Sequence, residues 1–283
     1  MEIFNTKQEI KSYLTTQKKK NKTIGFVPTM GALHEGHLSL IKEAKKKNDI
    51  VVVSIFINPT QFDNNKDLEK YPKKIESDTR LLANSSCDVL FYPSVKEMYN
   101  TNISSEKFDF EGIEHQMEGK FRQGHFDGVA TIVKTFFEII RPNSAYFGEK
   151  DFQQLLIIKK MVKNHRLKIK IKGCPIFREK DGLAMSSRNT RLSKEQRVSA
   201  PFIYKILKQV RKKFNTENTL KITEWVEQEF KKNTFLNLEY FTIADEKTLE
   251  IVKNKEFNKN YRAFIAVFAG EIRLIDTIRL KNL

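Results

Sequence analysis

At 283 residues, and roughly 150 residues per domain as a prior, the chain is one large domain or two unequal ones. Hydrophobic residues make up 40% and charged residues 30%, which excludes wholesale disorder and fibrous architectures. The 51 Lys and Arg against 35 Asp and Glu give a net charge of +16. That excess attracts polyanions without choosing among nucleic acid, acidic membrane and nucleotide, and its short Lys runs at 18–20 and 45–47 read as solvated surface.

Apolar runs such as Val51 to Ile57 fall far short of the roughly 18 residues of a membrane-spanning helix. The start, Met1 to Lys7, is charged early and lacks the apolar stretch and small-residue cleavage site of a signal peptide. No membrane partner and a cytoplasmic location are therefore expected. Cys87 and Cys174 stand far apart without a Cys-x-x-Cys partner and read as structural free thiols.

In chain order, Thr23 to Val27 is the first expected strand, and Asp49 to Ile57 is a β-branched run suited to a central parallel strand covered on both faces. Asp88 to Tyr92 and Ser144 to Phe147 follow as strands. Between them Gly128 to Ile140 spaces Val129, Ile132, Val133, Phe136, Phe137 and Ile140 by three and four, which predicts an amphipathic helix whose stripe is core. Asp151 to Asn164 is a second helix, with Asp151 and Gln154 in a capping-box-like spacing. Lys168 to Lys172 alternates Lys with Ile, a strand with one wet face. After Gly173-Cys174-Pro175 the pattern changes to helices at Lys194 to Lys213 and Leu220 to Lys232. Strands follow at Asn237 to Ala244, Tyr261 to Ala269 and Glu271 to Ile275. The order is α/β followed by a smaller α+β unit.

Three segments carry chemistry. Val27 to Leu38 (VPTMGALHEGHL) follows the first strand and leads into a helix, where ligands of open α/β sheets sit and free N–H groups meet phosphate. His34 and His37, three apart, can face one phosphate. The plainer alternative is a surface or metal-binding pair. Ala145 to Gln154 (AYFGEKDFQQ) repeats the strand, glycine and helix order, so Lys150 either reaches a nucleotide phosphate or stays in solvent beside a cap. Lys180 to Asn189 (KDGLAMSSRN) either closes on a triphosphate through its serines and Arg188 or is an Asp-Gly turn before a capped helix. Asn58 to Phe62 (NPTQF) lies at the same rim, and Gln61 can orient a small polar substrate by both donor and acceptor. Hydrolase, dehydrogenase and Walker-loop kinase patterns are absent from the sequence.

PTMGALHEGHLSL at 28–40, INPTQF at 57–62, GHFDGVATIV at 124–133, YFGEKDFQQL at 146–155, MSSRN at 185–189 and GEIRLIDTI at 270–278 together resemble the pantoate–β-alanine ligase (pantothenate synthetase) family, over nearly the whole chain. The resemblance implies a Rossmann-like parallel-sheet domain at 1–173, binding ATP and pantoate, and a smaller α+β lid domain at 174–283. It implies condensation of pantoate with β-alanine through a pantoyl adenylate, with release of AMP and pyrophosphate. His37 and His34, with Lys150, Ser186, Ser187 and Arg188, are implied as catalytic. The ATP site would comprise Met30, Gly31, Ala32, Leu33, His34, Glu35, Gly36 and His37, then Gly148, Glu149, Lys150 and Asp151, then Phe177, Met185, Ser186, Ser187 and Arg188. Gln61 and Gln154 would hold pantoate, Gln61 also meeting β-alanine.

The same resemblance implies Mg2+ accompanying ATP, with Asp78 as a metal contact, no tightly bound organic cofactor, and a homodimer. Gln123 departs from the family pattern, which has Pro before Gly-His-Phe-Asp. Two other classes compete. A nucleotidyltransferase would leave the nucleotide on its product and need no amine. A nonenzymatic RNA-binding protein would rest on the +16 charge, but no concentrated basic stripe with interleaved aromatics supports it, so no nucleic-acid partner is expected.

Overall fold

The computed structural model describes residues 1–62, 68–69 and 71–280; residues 281–283, at the end of the expected second unit, lie outside them. Strand β1 (Glu2–Phe4) and helix α1 (Lys7–Lys19) open the chain, and neither was expected from the sequence. Three residues are too few to show alternation. The helix announces itself only by its capping box, in which Thr6 accepts from the Glu9 amide and the Glu9 side chain reaches back.

Next come β2 (Ile24–Thr29), α2 (Glu35–Lys45), β3 (Ile50–Ile55), α3 (Ile75–Ala83), β4 (Val89–Phe91), α4 (Val95–Tyr99) and α5 (Met117–Phe121). They are followed by α6 (His125–Ile140), β5 (Ser144–Gly148), α7 (Phe152–Asn164) and β6 (Lys170–Cys174). Six strands form one parallel sheet in the order β1-β4-β3-β2-β5-β6. Every residue of β3 is buried, Ser54 included, as befits a β-branched run in a central strand covered on both faces. Edge strand β6 exposes its lysines. Leaving aside β1, the order is the Rossmann order, with its reversal at β2 and β5, where crevices form beyond the strands' carboxyl ends.

The smaller unit contains α8 (Lys194–Ser199), α9 (Phe202–Lys213), α10 (Thr219–Lys231), β7 (Asn237–Asp245), β8 (Tyr261–Ala269) and β9 (Ile272–Leu280), with β7-β8-β9 antiparallel. The chain is thus an α/β Rossmann-like domain followed by a smaller domain. A single helix expected over Lys194 to Lys213 is two, because Pro201 offers no N–H to continue the first. The last strand runs to Leu280, five residues beyond the expected end at Ile275, since alternation resumes after the buried polar pair Asp276 and Thr277.

Helix α6 starts at His125, three residues earlier than expected. Gly124, in the left-handed region at φ 75°, turns the chain into it, and Gly128 is a close-packing position inside the helix rather than its beginning. Both cysteines are buried free thiols. Burial pushes Cys87 up to about 12 and Cys174 up to about 11. No helix among the described residues is long and apolar enough to cross a membrane.

Candidate active site

Beyond β2 the backbone makes two successive left-handed residues, Gly31 at φ 82° and Ala32 at φ 50°. The second is unfavourable for a residue with a Cβ, and Asp78 on α3 holds it in place. Its carboxylate, 3% exposed, accepts the Ala32 amide through Oδ2 and the Leu33 amide through Oδ1, each at 2.8 Å. The carboxylate expected at a metal is therefore committed to the loop. Among the described residues no three His, Cys, Asp or Glu side chains gather where they could hold an ion.

His34 precedes the first turn of α2, and its amide donates to His37 Nδ1 at 3.3 Å. His37 Nδ1 is thus an acceptor, and the neutral ring carries its proton on Nε2. The two rings lie 4.0 Å apart between centroids. Gly36 permits this: a Cβ there would come within 2.9 Å of the His34 ring. Desolvation, with help from the Lys150 charge, lowers His34 to about 4. Desolvation, then His34 and Lys150, pulls His37 well below its ordinary value. Both imidazoles are neutral at pH 7, and His34 Nδ1 is buried without a hydrogen-bond partner among the described residues.

Past β3, Pro59–Gln61 forms a tight 3-10 turn that rests on α6. The Gln61 carbonyl accepts from His125 Nδ1 at 2.7 Å and from the Arg122 guanidinium at 3.2 Å. The Gly128 carbonyl accepts from Asn58 Nδ2 at 3.0 Å. A Cβ on Gly128 would meet the Thr60 carbonyl oxygen at 2.3 Å, so the glycine is what lets helix and turn touch. Gly128→Ala is expected to lower stability by about 1–3 kcal/mol through overpacking. Urea unfolding checks it, and a midpoint equal to the wild type would contradict this packing.

Past β5, Gly148 leads into the short turn Glu149–Asp151 and then α7. The expected cap is not made: Asp151 has no side-chain bond to the helix amides. Its carboxylate lies 3.5 Å from Lys150 Nζ instead, and Gln154 faces a cavity. That cavity, about 250 Å3, is bordered by Met30, His34, Gly36, His37, Gln61, Gly148, Lys150, Asp151, Gln154, Phe177, Met185, Ser186, Ser187 and Arg188. All three chemistry-bearing segments thus meet in one place. Gly31, Ala32, Leu33, Glu35, Asp78 and Glu149 do not border it. The first three shape the loop, Asp78 fastens it, and Glu149 pairs with Arg262 of β8 at 3.2 Å.

The smaller domain reaches over the cavity with Phe177, Met185 and the 186–188 loop, and Met185 Sδ accepts the Gly36 amide at 3.3 Å. Two charged contacts hold the domains together. Arg262, 4% exposed, joins Glu149 and Glu246 and stacks 3.9 Å over Phe152. Arg273 forks onto Glu118 at 2.6 and 2.9 Å while Tyr240 donates to the same carboxylate at 2.7 Å. Burial works to raise Glu118, but the Arg273 bonds and charge outweigh it, and its carboxyl ends below the usual range.

The family profile described as pantoate-beta-alanine ligase matches residues 2–279. The chain belongs to that family. It is 53% identical, over the whole of both chains, to the pantothenate synthetase of Christiangramia forsetii. It is 52% identical to that of Flavobacterium psychrophilum, over 99% of this chain and all of the relative. A solved pantothenate synthetase from Thermus thermophilus superposes with a TM-score of 0.91 at 36% identity, covering 98% of this chain and 99% of its own. The pantoate-beta-alanine ligase of Francisella tularensis, solved with beta-gamma ATP and beta-alanine, superposes at 0.82 with 39% identity over 99% and 97% of the two chains. Membership in the pantoate–β-alanine ligase family makes the chain an enzyme and implies ATP-dependent joining of pantoate and β-alanine.

Sequence reasoning missed part of the cavity wall. The stripe of α6 was expected to be core alone, yet Val129, Ile132, Val133 and Phe136 also border the cavity, giving it an apolar side. Tyr71, buried and in edge-to-face contact with Phe62, borders it too, on the same cavity as Ser187 of the smaller domain. Nothing in the local pattern around Tyr71 announces that position. Asn58 was passed over as a turn residue, although its adjacency to Gln61 was a usable signal.

Proposed function

We propose that this ligase activates pantoate as pantoyl adenylate, with the cavity between β2 and β5 as the site of both half-reactions. The observation that carries the reading is the convergence of two neutral histidines, Lys150 and the Ser186–Arg188 loop on one cavity that also contains Gln61 and Gln154. In the first step a pantoate carboxylate oxygen bonds to the α-phosphorus of ATP, the bond from that phosphorus to the bridging oxygen breaks, and pyrophosphate leaves. In the second the β-alanine nitrogen bonds to the acyl carbon, the bond from that carbon to the phosphate oxygen breaks, AMP leaves with the electron pair, and the nitrogen loses its proton.

Neither step needs a strong base in the protein; position and charge suffice. His37, with its proton on Nε2, donates to a phosphate oxygen and does not remove a proton. Lys150 and Arg188 neutralise charge that develops toward pyrophosphate, and the Ser186 and Ser187 hydroxyls hold its oxygens. Gln61 and Gln154 hold pantoate against the apolar wall of α6. The smaller domain excludes water from the acyl adenylate. Magnesium accompanying ATP would supply charge neutralisation on the phosphates, and Asp78 would not hold it, since both its oxygens serve the loop. The reading also makes the enzyme a cytoplasmic homodimer, which sedimentation in solution tests.

The nucleotide product tests the chemistry. With ATP, magnesium, pantoate and β-alanine together, AMP and pantothenate are expected in equal amounts. ADP as the nucleotide product would contradict adenylation.

A further inference from the structure

Gln61 faces the cavity, and an amide there reads a ligand only if it is known which end points inward. Three bonds fix that. The Gly128 carbonyl can only accept, so the Asn58 atom 3.0 Å away is the amide nitrogen. The second hydrogen of that nitrogen goes to Gln61 Oε1 at 3.2 Å. Gln61 Oε1 is thereby turned toward Asn58, and Gln61 Nε2 is left on the cavity side, giving one hydrogen to Met30 Sδ at 3.0 Å and keeping the other for a ligand. The other end of Asn58, which is 1% exposed, is held by Tyr99 at the end of α4. The Tyr99 hydroxyl donates to Asn58 Oδ1 at 2.5 Å, and Thr60 Oγ1 adds a bond at 3.2 Å.

We propose that Tyr99 is a positioning residue for the acid substrate: through Asn58 it locks the Gln61 amide so that the cavity sees an N–H donor. The site thereby selects a ligand with an oxygen acceptor at that point, a carboxylate or hydroxyl of a hydroxy acid. This rests on the reading that Gln61 holds pantoate. Tyr99 touches no reacting atom, as neither it nor Thr60 borders the cavity. Loss of its hydroxyl leaves Asn58 Oδ1 with the longer Thr60 bond alone, so Asn58, still oriented by the Gly128 carbonyl, is held less firmly and the Gln61 amide it carries wanders from its donor position, weakening pantoate alone.

The test is a double-mutant cycle in the intact enzyme with Tyr99→Phe, Gln61→Ala and both together, reading KM for pantoate and for ATP with thermal unfolding as a check on folding. Tyr99→Phe is expected to raise the pantoate KM roughly three- to tenfold, the loss of about one hydrogen bond, with the ATP KM unchanged. In the Gln61→Ala background the same change is expected to add nothing. A wild-type pantoate KM in Tyr99→Phe, or an equal effect in both backgrounds, overturns the proposal. If Tyr99→Phe folds poorly, Thr60→Val replaces it in the cycle under the same criteria, since it also removes a donor from Asn58 Oδ1. An unaltered pantoate KM in Gln61→Ala instead defeats the underlying assignment of Gln61, and the proposal with it.

Discussion

Replacing His37 with alanine is expected to slow adenylate formation by about two to three orders of magnitude, the usual cost of one preorganised donor at a developing charge. Folding is expected to hold, because the side chain borders a cavity and, among the described residues, its hydrogen bond is the one from the His34 amide. The size follows from preorganisation. The His37 proton is fixed on Nε2 by the His34 amide, and the ring packs 4.0 Å from the His34 ring, so little reorganisation is needed when phosphate charge develops. Single-turnover formation of the adenylate checks it, and near-normal turnover would remove His37 from the mechanism.

The same environment predicts the pH profile. A general base with an ordinary histidine pKa would give a rate limb near pH 6.5. Here burial holds His34 at about 4 and His37 well below its usual value, so the rate of adenylate formation, measured without β-alanine, is expected to stay flat through pH 6.5. The stability consequence has a definite sign. Unfolded histidines take up protons near pH 6.5, whereas folded His34 does so only near 4. Their contribution is complete above pH 6.5 and is lost as pH falls through that window. Urea midpoints at pH 7.5 and 5 check this, and a rise on acidification would contradict it.

Lys150→Ala is expected to have an effect of similar size on pyrophosphate-forming chemistry, about a hundredfold or more. Lys150 borders the main cavity and also two smaller ones that share Arg188 with it, so its ammonium stands at their common edge. With the lysine gone, one cause of the low His34 pKa disappears, and His34 should titrate closer to its ordinary value. That upward shift, read by NMR, separates an electrostatic role from simple loss of packing. A variant of normal rate with His34 unmoved would contradict both.

Much of this site was legible because its chemistry lies in contiguous runs. Val27 to Leu38, Ala145 to Gln154 and Lys180 to Asn189 each follow a strand or turn, and α/β topology alone brings the first two to the same end of the sheet. What stayed hidden depends on contacts between distant segments. Asp78 meets the Ala32 and Leu33 amides across 46 and 45 positions, so it looked like a free carboxylate available to a metal. Spacing alone offered Gln154 as the partner of an Asp151 cap while the family resemblance put it with pantoate; that the Asp151 carboxylate faces Lys150 instead of the helix amides is what spacing cannot show. GHFDGV suggested function, but its physical reason, a glycine under the Thr60 carbonyl and a histidine on that of Gln61, needs both elements in place. The early strand β1 was missed because three residues carry no period.

Pantoate activation precedes the action of β-alanine in the two-step route. Exchange of labelled pyrophosphate into ATP, measured with magnesium and pantoate but without β-alanine, tests it most directly. The account predicts exchange that requires pantoate and collapses in His37→Ala. A folded, ATP-binding enzyme that shows no exchange under those conditions would contradict the adenylate route.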